Sequence, residues 1–161
     1  MTISARDKDA GWSAPFSAAL FVAAIVAISL FMGFLTRPGE WYEGLAKPAF
    51  NPPSWVFGPV WTVLYVLIAI SGWRIWRTAP RSAAMMLWIA QMMLNWTWSL
   101  AFFGAEAPGL AFVIIVAMLA TILMFIVHAW KHDGLSAWLF FPYAGWVAFA
   151  TVLNGTIAAI N

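Results

Sequence analysis

Five long apolar segments follow one another along this 161-residue chain, separated by short polar stretches. An α-helix needs about 20 apolar residues to cross a hydrocarbon core of about 30 Å, and each segment is long enough. The pattern predicts an all-α membrane protein, a single domain over residues 1–161 built as a bundle of five transmembrane helices. The predicted helices are Pro15–Leu35, Ser54–Trp76, Ala83–Ala105, Gly109–Trp130 and Leu135–Ile160.

The connection between the first two segments is rich in proline and aromatic residues. The stretch 41–65, WYEGLAKPAFNPPSWVFGPVWTVLY, holds four of the nine prolines. Because a residue before proline is forced into extended backbone, residues 40–53 cannot form one continuous helix, although a short helical turn fits at their start. We predict a stiff, lid-like loop over residues 41–53. Behind it, Phe57, Trp61 and Tyr65 recur every four residues and form an aromatic stripe.

The third segment carries amides where a membrane helix normally has apolar groups. Five of its residues recur at spacings of three and four and therefore share one face. Since an unpaired amide is costly inside a membrane, two interpretations are open. The amides either line a cavity and orient a ligand, or hydrogen-bond a neighbouring helix. The face consists of Trp88, Gln91, Asn95, Trp98 and Phe102.

The fifth segment has a second aromatic face and an internal proline. Trp146, Phe149 and Ala150 follow one another at helical spacing and lie on one side of the helix. Pro142 lacks an amide hydrogen, so one backbone carbonyl near the start of this helix needs another partner. We expect this face to form a wall opposite the stripe of the second helix.

Composition and charge exclude several classes of function. The chain is 64% apolar and 9% charged, without cysteine, and its net charge of +2 is too small to indicate nucleic-acid binding. No charged residue lies near the middle of a predicted helix, which argues against pumps and proton-coupled transporters. His128 and His132 have no third ligand nearby, so no metal site is predicted. No nucleophile–base pair or carboxylate dyad suggests a catalytic residue.

The distribution of basic residues predicts the orientation. With five crossings, six basic residues share the side of the N-terminus and two lie on the opposite side. The positive-inside rule then places the N-terminus in the cytoplasm of a multi-pass protein. We expect a bacterial cell membrane, with an outer membrane or an organelle membrane as the open alternatives. The six are Arg6, Lys8, Arg74, Arg77, Arg81 and Lys131, and the two are Arg37 and Lys47.

The chemistry that remains is a set of aromatic rings and a few amides. Such groups suit a flat, largely apolar ligand, because rings supply stacking area and amides fix orientation. Any single ring could equally fill the core or face lipid. The combination of the loop, the second-helix stripe, the third-helix face and Trp146 favours a binding cavity.

These motifs together resemble the TspO/MBR family, which comprises the tryptophan-rich sensory proteins and the translocator protein, or peripheral-type benzodiazepine receptor. The resemblance rests on the stretch 41–65, on Gln91, on LNWTW at 94–98 with FFG at 102–104, and on FPYAGWVAFATVLN at 141–154. It implies a five-helix bundle, a homodimer in the lipid bilayer, whose first loop closes over a ligand cavity.

The resemblance also implies the ligands and their contacts. The expected ligands are tetrapyrroles such as protoporphyrin IX and haem, with sterol and benzodiazepine-type compounds as further candidates, and no cofactor is required. The function expected is a receptor or carrier with a sensory or transport role in tetrapyrrole and stress regulation. Carried over by motif position, the cavity residues are Trp41, Tyr42, Pro52, Trp61, Asn95, Trp98, Trp146, Phe149 and Ala150.

Two other hypotheses stay open beside the receptor. One is an enzyme that degrades porphyrin in light, for which the resemblance implicates Trp61 and Trp146. The other is a scaffold without a ligand, acting through helix contacts such as an alanine stripe in the first helix. One departure from the family concerns sterol. Its cholesterol-recognition pattern needs a basic residue near the C-terminus, but no lysine or arginine follows Lys131.

Overall fold

Short connections join almost all of the α-helices. The computed structural model describes the backbone of residues 6–161 and the side chains from Pro15 onward. Within these residues every regular element is helical, as the apolar pattern predicts. The elements are α1 (Arg6–Leu35), α2 (Glu40–Gly44), α3 (Ser54–Thr78), α4 (Ala83–Ser99), a π-helix (Leu100–Gly104), α5 (Pro108–Ala129), α6 (Gly134–Leu139) and α7 (Phe141–Ile160).

Four helical stretches of the described chain are long and apolar enough to cross a membrane. They are Pro15–Leu35, Ser54–Thr78, Pro108–Ala129 and Gly134–Ile160. Helix α4 has 17 residues and is about 25 Å long, which is less than the hydrocarbon core. The π-helix follows it directly, however, so residues 83–104 are helical without interruption.

The π-helix widens the end of α4 beside the first loop. The amide of Ala105 donates to the carbonyl of Leu100 at 2.8 Å, the five-residue step of a π-helix. The chain then reverses at Glu106, a non-glycine residue with φ of 54°, and α5 begins at Pro108. Within the π-helix, the rings of the adjacent residues Phe102 and Phe103 lie 4.8 Å apart between centroids.

The fifth apolar segment is two helices, where the sequence predicts one with an interrupted hydrogen bond. Helix α6 ends at Leu139, Phe140 separates the helices, and Pro142 lies in the first turn of α7, where no amide hydrogen is needed. The ring of Phe140 is fully buried and lies 4.0 Å from the ring of Phe125 between centroids. The break therefore inserts an aromatic ring into the core.

Helix α5 packs against α4 and α7, while α1 packs mainly on α3. Two glycines allow the closest approaches. A Cβ on Gly72 of α3 would lie 2.2 Å from Cε2 of Trp88, and a Cβ on Gly155 of α7 would lie 2.8 Å from Cε2 of Phe112. The alanine stripe of α1 (Ala19, Ala23 and Ala27) faces outward, so it does not mediate packing within this chain.

Polar side chains connect the helices at the two ends of the bundle. At one end, Arg74 of α3 forms a bidentate ion pair with Asp133, through Nε to Oδ2 at 2.6 Å and Nη2 to Oδ1 at 2.8 Å. Ser136 of α6 also donates to Asp133. At the other end, the Asn161 side chain accepts from the amide of Ala46 at 2.9 Å and donates to its carbonyl at 3.1 Å. The first loop is thereby attached to the end of α7.

Candidate functional site

A cavity of about 310 Å³ lies between α1, α3 and α4, under the residues that connect α1 to α2. It is at the lower end of the range of small-molecule pockets, about 300–1,000 Å³. Most of the exposed surface in it is apolar. Its lining residues are Ser29, Leu30, Gly33, Thr36, Arg37, Pro38, Tyr42, Ser54, Phe57, Gly58, Trp61, Tyr65, Asn95, Trp98, Ser99 and Phe103.

A buried hydrogen-bond network forms the deep end of this cavity. The hydroxyl of Tyr65 donates to Oδ1 of Asn95 at 2.9 Å, and Nδ2 of Asn95 donates to the hydroxyl of Tyr143 at 3.2 Å. The Tyr143 hydroxyl in turn donates a hydrogen bond to the sulfur of Met118 at 3.4 Å. An amide nitrogen carries two hydrogens, and Asn95 donates one of them to Tyr143. The second hydrogen has no partner among the described residues.

The aromatic wall of the cavity is centred on Trp61. Its ring is stacked on Tyr65, with 5.4 Å between centroids and 27° between planes. The rings of Tyr143 and Trp98 lie 6.2 Å and 6.4 Å away. Since α3 places Trp61 and Tyr65 four residues apart, they occupy the same face, as the sequence pattern predicts. The result is an aromatic wall beside the buried hydrogen bonds of Asn95.

The orientation of Trp98 is fixed by a residue of α7. Nε1 of Trp98 donates to Oδ1 of Asn154 at 3.0 Å, and Nδ2 of Asn154 donates to the carbonyl of Pro108 at 2.9 Å. Both amide ends of Asn154 are therefore paired, which defines which end is oxygen. One side chain connects α4, α5 and α7 and holds the Trp98 ring against the cavity.

The first loop reaches the cavity through Tyr42. The Tyr42 side chain is buried, and its hydroxyl donates to Oδ1 of Asn51 at 3.2 Å. Burial raises the pKa of the Tyr42 phenol above its ordinary value, and the hydrogen bond with Asn51 offsets part of that rise. Nζ of Lys47 lies 4.7 Å from the centre of the Tyr42 ring and donates to the carbonyls of Glu43 and Leu45. These contacts give the loop internal structure.

The fifth-segment face lies behind this cavity and not on its wall. Pro52, Trp146 and Phe149 line an open groove between α3 and α7. Ala150 lines a space of about 30 Å³ that also contacts Phe57. Phe57 lines the main cavity as well and meets the edge of the Trp146 ring at 5.9 Å between centroids. The predicted site is thus divided into three spaces, and Phe57 contacts residues of all three.

Two predicted site residues have structural contacts instead of lining these spaces. The rings of Trp41 and Phe102 form a T-shaped contact with 5.9 Å between centroids. Gln91 is fully buried and donates through Nε2 to the carbonyl of Trp88 at 2.9 Å, but its Oε1 has no partner among the described residues. The two interpretations of the α4 amides therefore apply to different residues: Asn95 borders the cavity and Gln91 lies within the packed core.

The contribution of α1 to the cavity is absent from the sequence prediction. Ser29, Leu30, Gly33 and Thr36 line the cavity, and Ser29 also accepts a hydrogen bond from Nε1 of Trp96 at 3.2 Å. Helix α1 is apolar on all sides, so no periodicity marks its inner face. Two buried polar residues, Ser29 in α1 and Thr36 directly after it, are a signal that could have marked this face.

Comparison with known proteins places the chain in a family. The model of the TspO/MBR family matches residues 20–160. The chain is 37% identical over 144 residues to the tryptophan-rich protein TspO of Archaeoglobus fulgidus, covering 87% of this chain and 94% of that protein. It is 33% identical over 148 residues to the human translocator protein, covering 87% and 88%. It is 34% identical over 132 residues to the tryptophan-rich sensory protein of Cereibacter sphaeroides, covering 80% and 82%.

Fold and comparisons together define the class. Four long apolar helices make this an integral membrane protein. Because the family model and the relatives span most of the chain, it belongs to the TspO/MBR family. This membership supports a membrane receptor or sensory role.

Proposed function

We propose that this protein is a membrane receptor that binds tetrapyrroles, such as protoporphyrin IX and haem, in the cavity between α1, α3 and α4. The observation that carries the proposal is the arrangement of Trp61, Trp98 and Asn95: two indole rings line an apolar space, and one amide hydrogen of Asn95 at its deep end has no partner among the described residues. Aromatic walls with a few fixed polar groups are typical of sites for flat organic ligands.

The size of the cavity defines what must change on binding. A tetrapyrrole macrocycle is large for a space of about 310 Å³. Four residues line both this space and the smaller one beside Ala150, namely Tyr42, Phe57, Trp98 and Phe103. Rotation of Phe57 would join the two and bring Trp146 closer to the ligand. In this proposal residues 41–53 act as the lid, with Tyr42 contacting the ligand.

The proposal also covers the orientation of the protein in the membrane and its assembly. The helical stretch 83–104 crosses the membrane as well, third in chain order, and brings the number of crossings to five. The N-terminus lies in the cytoplasm. In this arrangement the end that carries Arg74 and Asp133 is cytoplasmic, and the loop over the cavity lies on the opposite side. Lipid surrounds the bundle, and two copies form a homodimer. Sterol is a weaker candidate ligand, because its recognition pattern is absent.

The test is a fluorescence titration of the purified protein in detergent with protoporphyrin IX. We expect saturable quenching, because the indoles of Trp61 and Trp98 border the proposed site. Trp61→Phe should weaken binding, whereas Trp130→Phe should not, since that half-exposed ring contacts Trp138 away from the cavity. Quenching no greater than that of denatured protein would contradict the proposal.

Light-dependent degradation of porphyrin is a second candidate function, favoured by one observation. Trp61 borders the cavity and is stacked on Tyr65. An indole able to donate an electron would therefore lie against a bound macrocycle. The test is a discrete product that forms under light with the protein and is lost in Trp61→Phe. Formation of the same product with free tryptophan in detergent would rule out an enzyme.

A further inference from the structure

The lining of the main cavity contains one charged side chain, Arg37. No aspartate or glutamate is among the lining residues. Arg37 follows Thr36 at the C-terminal end of α1, where the connection to α2 begins. The cavity therefore has a positively charged entrance, while Asn95 and Tyr65 at its deep end are neutral and buried.

The guanidinium of Arg37 has no partner that would satisfy it. Among the described residues, the one pair of oppositely charged groups within 4.0 Å is Arg74 with Asp133. Arg37 also makes no hydrogen bond with any described residue. Its Cζ lies 5.1 Å from the centre of the Phe34 ring. A ring face orients a guanidinium without using its five N–H donors, so the donors are free for an anionic group.

We propose that Arg37 binds a carboxylate of the ligand and makes the cavity selective for planar apolar molecules with an acidic edge. This inference rests on the proposed function and deepens it. The apolar plane lies against Trp61 and Trp98, and the carboxylate lies at the entrance, where it stays partly hydrated. Guanidinium and carboxylate form a paired, bidentate contact that a neutral ester cannot make. Acidic tetrapyrroles bind more tightly than their esters for this reason.

A lipid phosphate could supply the same anionic chemistry to Arg37. The two sources differ in what they do to binding of the ligand. If the Arg37 guanidinium binds the carboxylate of the ligand, the affinity for the ligand in an uncharged detergent depends on Arg37. If it serves lipid, Arg37 matters only when anionic lipid is present. The experiment is therefore run in uncharged detergent, with and without added phosphatidylglycerol.

The experiment compares protoporphyrin IX, which carries two propionates, with its dimethyl ester. Binding is measured for the unsubstituted protein and for Arg37→Gln, Arg37→Lys and Arg77→Gln. Arg77 is the matched control, because it is exposed and its Cζ lies 5.3 Å from the centre of the Trp73 ring, but it does not line the cavity. We expect Arg37→Gln to weaken binding of the acid by about three- to tenfold and to leave binding of the ester unchanged. Arg37→Lys should keep most of the preference for the acid.

Three results would overturn the inference. Equal losses for acid and ester in Arg37→Gln would mean that Arg37 only supports the structure of the entrance. Unchanged binding of the acid in uncharged detergent, with an effect only after phosphatidylglycerol is added, would assign Arg37 to lipid. An effect of Arg77→Gln equal to that of Arg37→Gln would show a general charge effect. If neither compound binds the unsubstituted protein, the proposed function itself fails, and this inference fails with it.

Discussion

The hydroxyl of Tyr65 donates a hydrogen bond of 2.9 Å to Oδ1 of Asn95, and this contact joins α3 to α4 at the deep end of the cavity. Both side chains are buried, at 8% and 2% exposure. A buried polar group without a partner is costly, so each of them determines how the other is placed. The contact therefore has two consequences, one for stability and one for the proposed site.

Asn95→Ala should lower both stability and ligand affinity. The substitution removes the acceptor of the Tyr65 hydroxyl and the donor to the Tyr143 hydroxyl, at a cost of about 1–3 kcal/mol in the free energy of unfolding. Thermal unfolding and protoporphyrin IX titration in detergent measure the two effects. Thr97→Ala is the control, because that exposed hydroxyl bonds only the carbonyl of Met93 in its own helix. A variant as stable as the unsubstituted protein would show that the network is dispensable.

Gly72→Ala should destabilise the contact between α3 and α4. The new Cβ would lie 2.2 Å from the indole of Trp88, and that indole is held by a hydrogen bond of 2.9 Å to the carbonyl of Ile68. Forced movement of the ring should cost about 1–3 kcal/mol. Gly145→Ala provides the comparison, since a Cβ there meets nothing within 4 Å; it should be neutral or slightly stabilising. Equal melting temperatures for the two variants would refute the packing account.

Acid should weaken the end of the bundle held by Asp133. The hydrogen bond from Arg74 and those from Ser136 lower the pKa of Asp133 from 3.8 to about 2, against the opposing effect of burial. Because the pKa is lower in the folded state, the stabilisation is present above pH 3.8 and is lost as pH falls towards 2. It amounts to about 1–2 kcal/mol after solvent screening.

The measurement is the melting temperature between pH 6 and pH 2.5 for the unsubstituted protein and for Asp133→Asn. The difference between the two should shrink as the pH falls below about 4. A difference that stays constant over this range would mean that the Asp133 charge contributes nothing to stability.

Asn161→Ala should loosen the first loop without unfolding the bundle. The Asn161 side chain makes two hydrogen bonds to the backbone of Ala46, and their loss should increase local opening by about fivefold. Hydrogen exchange of residues 44–51 reports the opening, and the dissociation rate of protoporphyrin IX should rise with it. Thr156→Ala is the control, since the Thr156 hydroxyl bonds only the carbonyl of Val152 within α7. Unchanged exchange in Asn161→Ala would contradict the attachment.

The helices could be predicted from the sequence because their signal is local. Apolar length marks the membrane segments, and a spacing of four residues brings Trp61 and Tyr65 onto one face. The break at Phe140 could be predicted only in part. Pro142 indicates a lost hydrogen bond, but whether the helix bends or ends there depends on the packing of Phe140 against the ring of Phe125. The π-helix has no sequence signal of this kind.

The shape of the site could not be predicted, because it depends on which helices are neighbours. Periodicity places Trp146 and Phe149 on one face of α7. It does not predict that this face borders the open groove and not the main cavity. It also gives no reason to place Gly33 and Arg37 at the cavity. These placements arise from the packing of α1 on α3, a long-range contact between segments that are uniformly apolar.

The central claim is that the cavity between α1, α3 and α4 holds the ligand, and filling it is the most direct test. Gly33 lines the cavity, and a Cβ there meets nothing within 4 Å, so the backbone tolerates a side chain at this position and Gly33→Phe should occupy part of the space. Gly109→Phe is the control in an equally open position outside the cavity. The measurement is the thermal shift produced by protoporphyrin IX. We expect stabilisation of about 2.7 kcal/mol at 100 times the dissociation constant for the unsubstituted and control proteins, and none for Gly33→Phe. The same shift in Gly33→Phe would show that the ligand binds elsewhere.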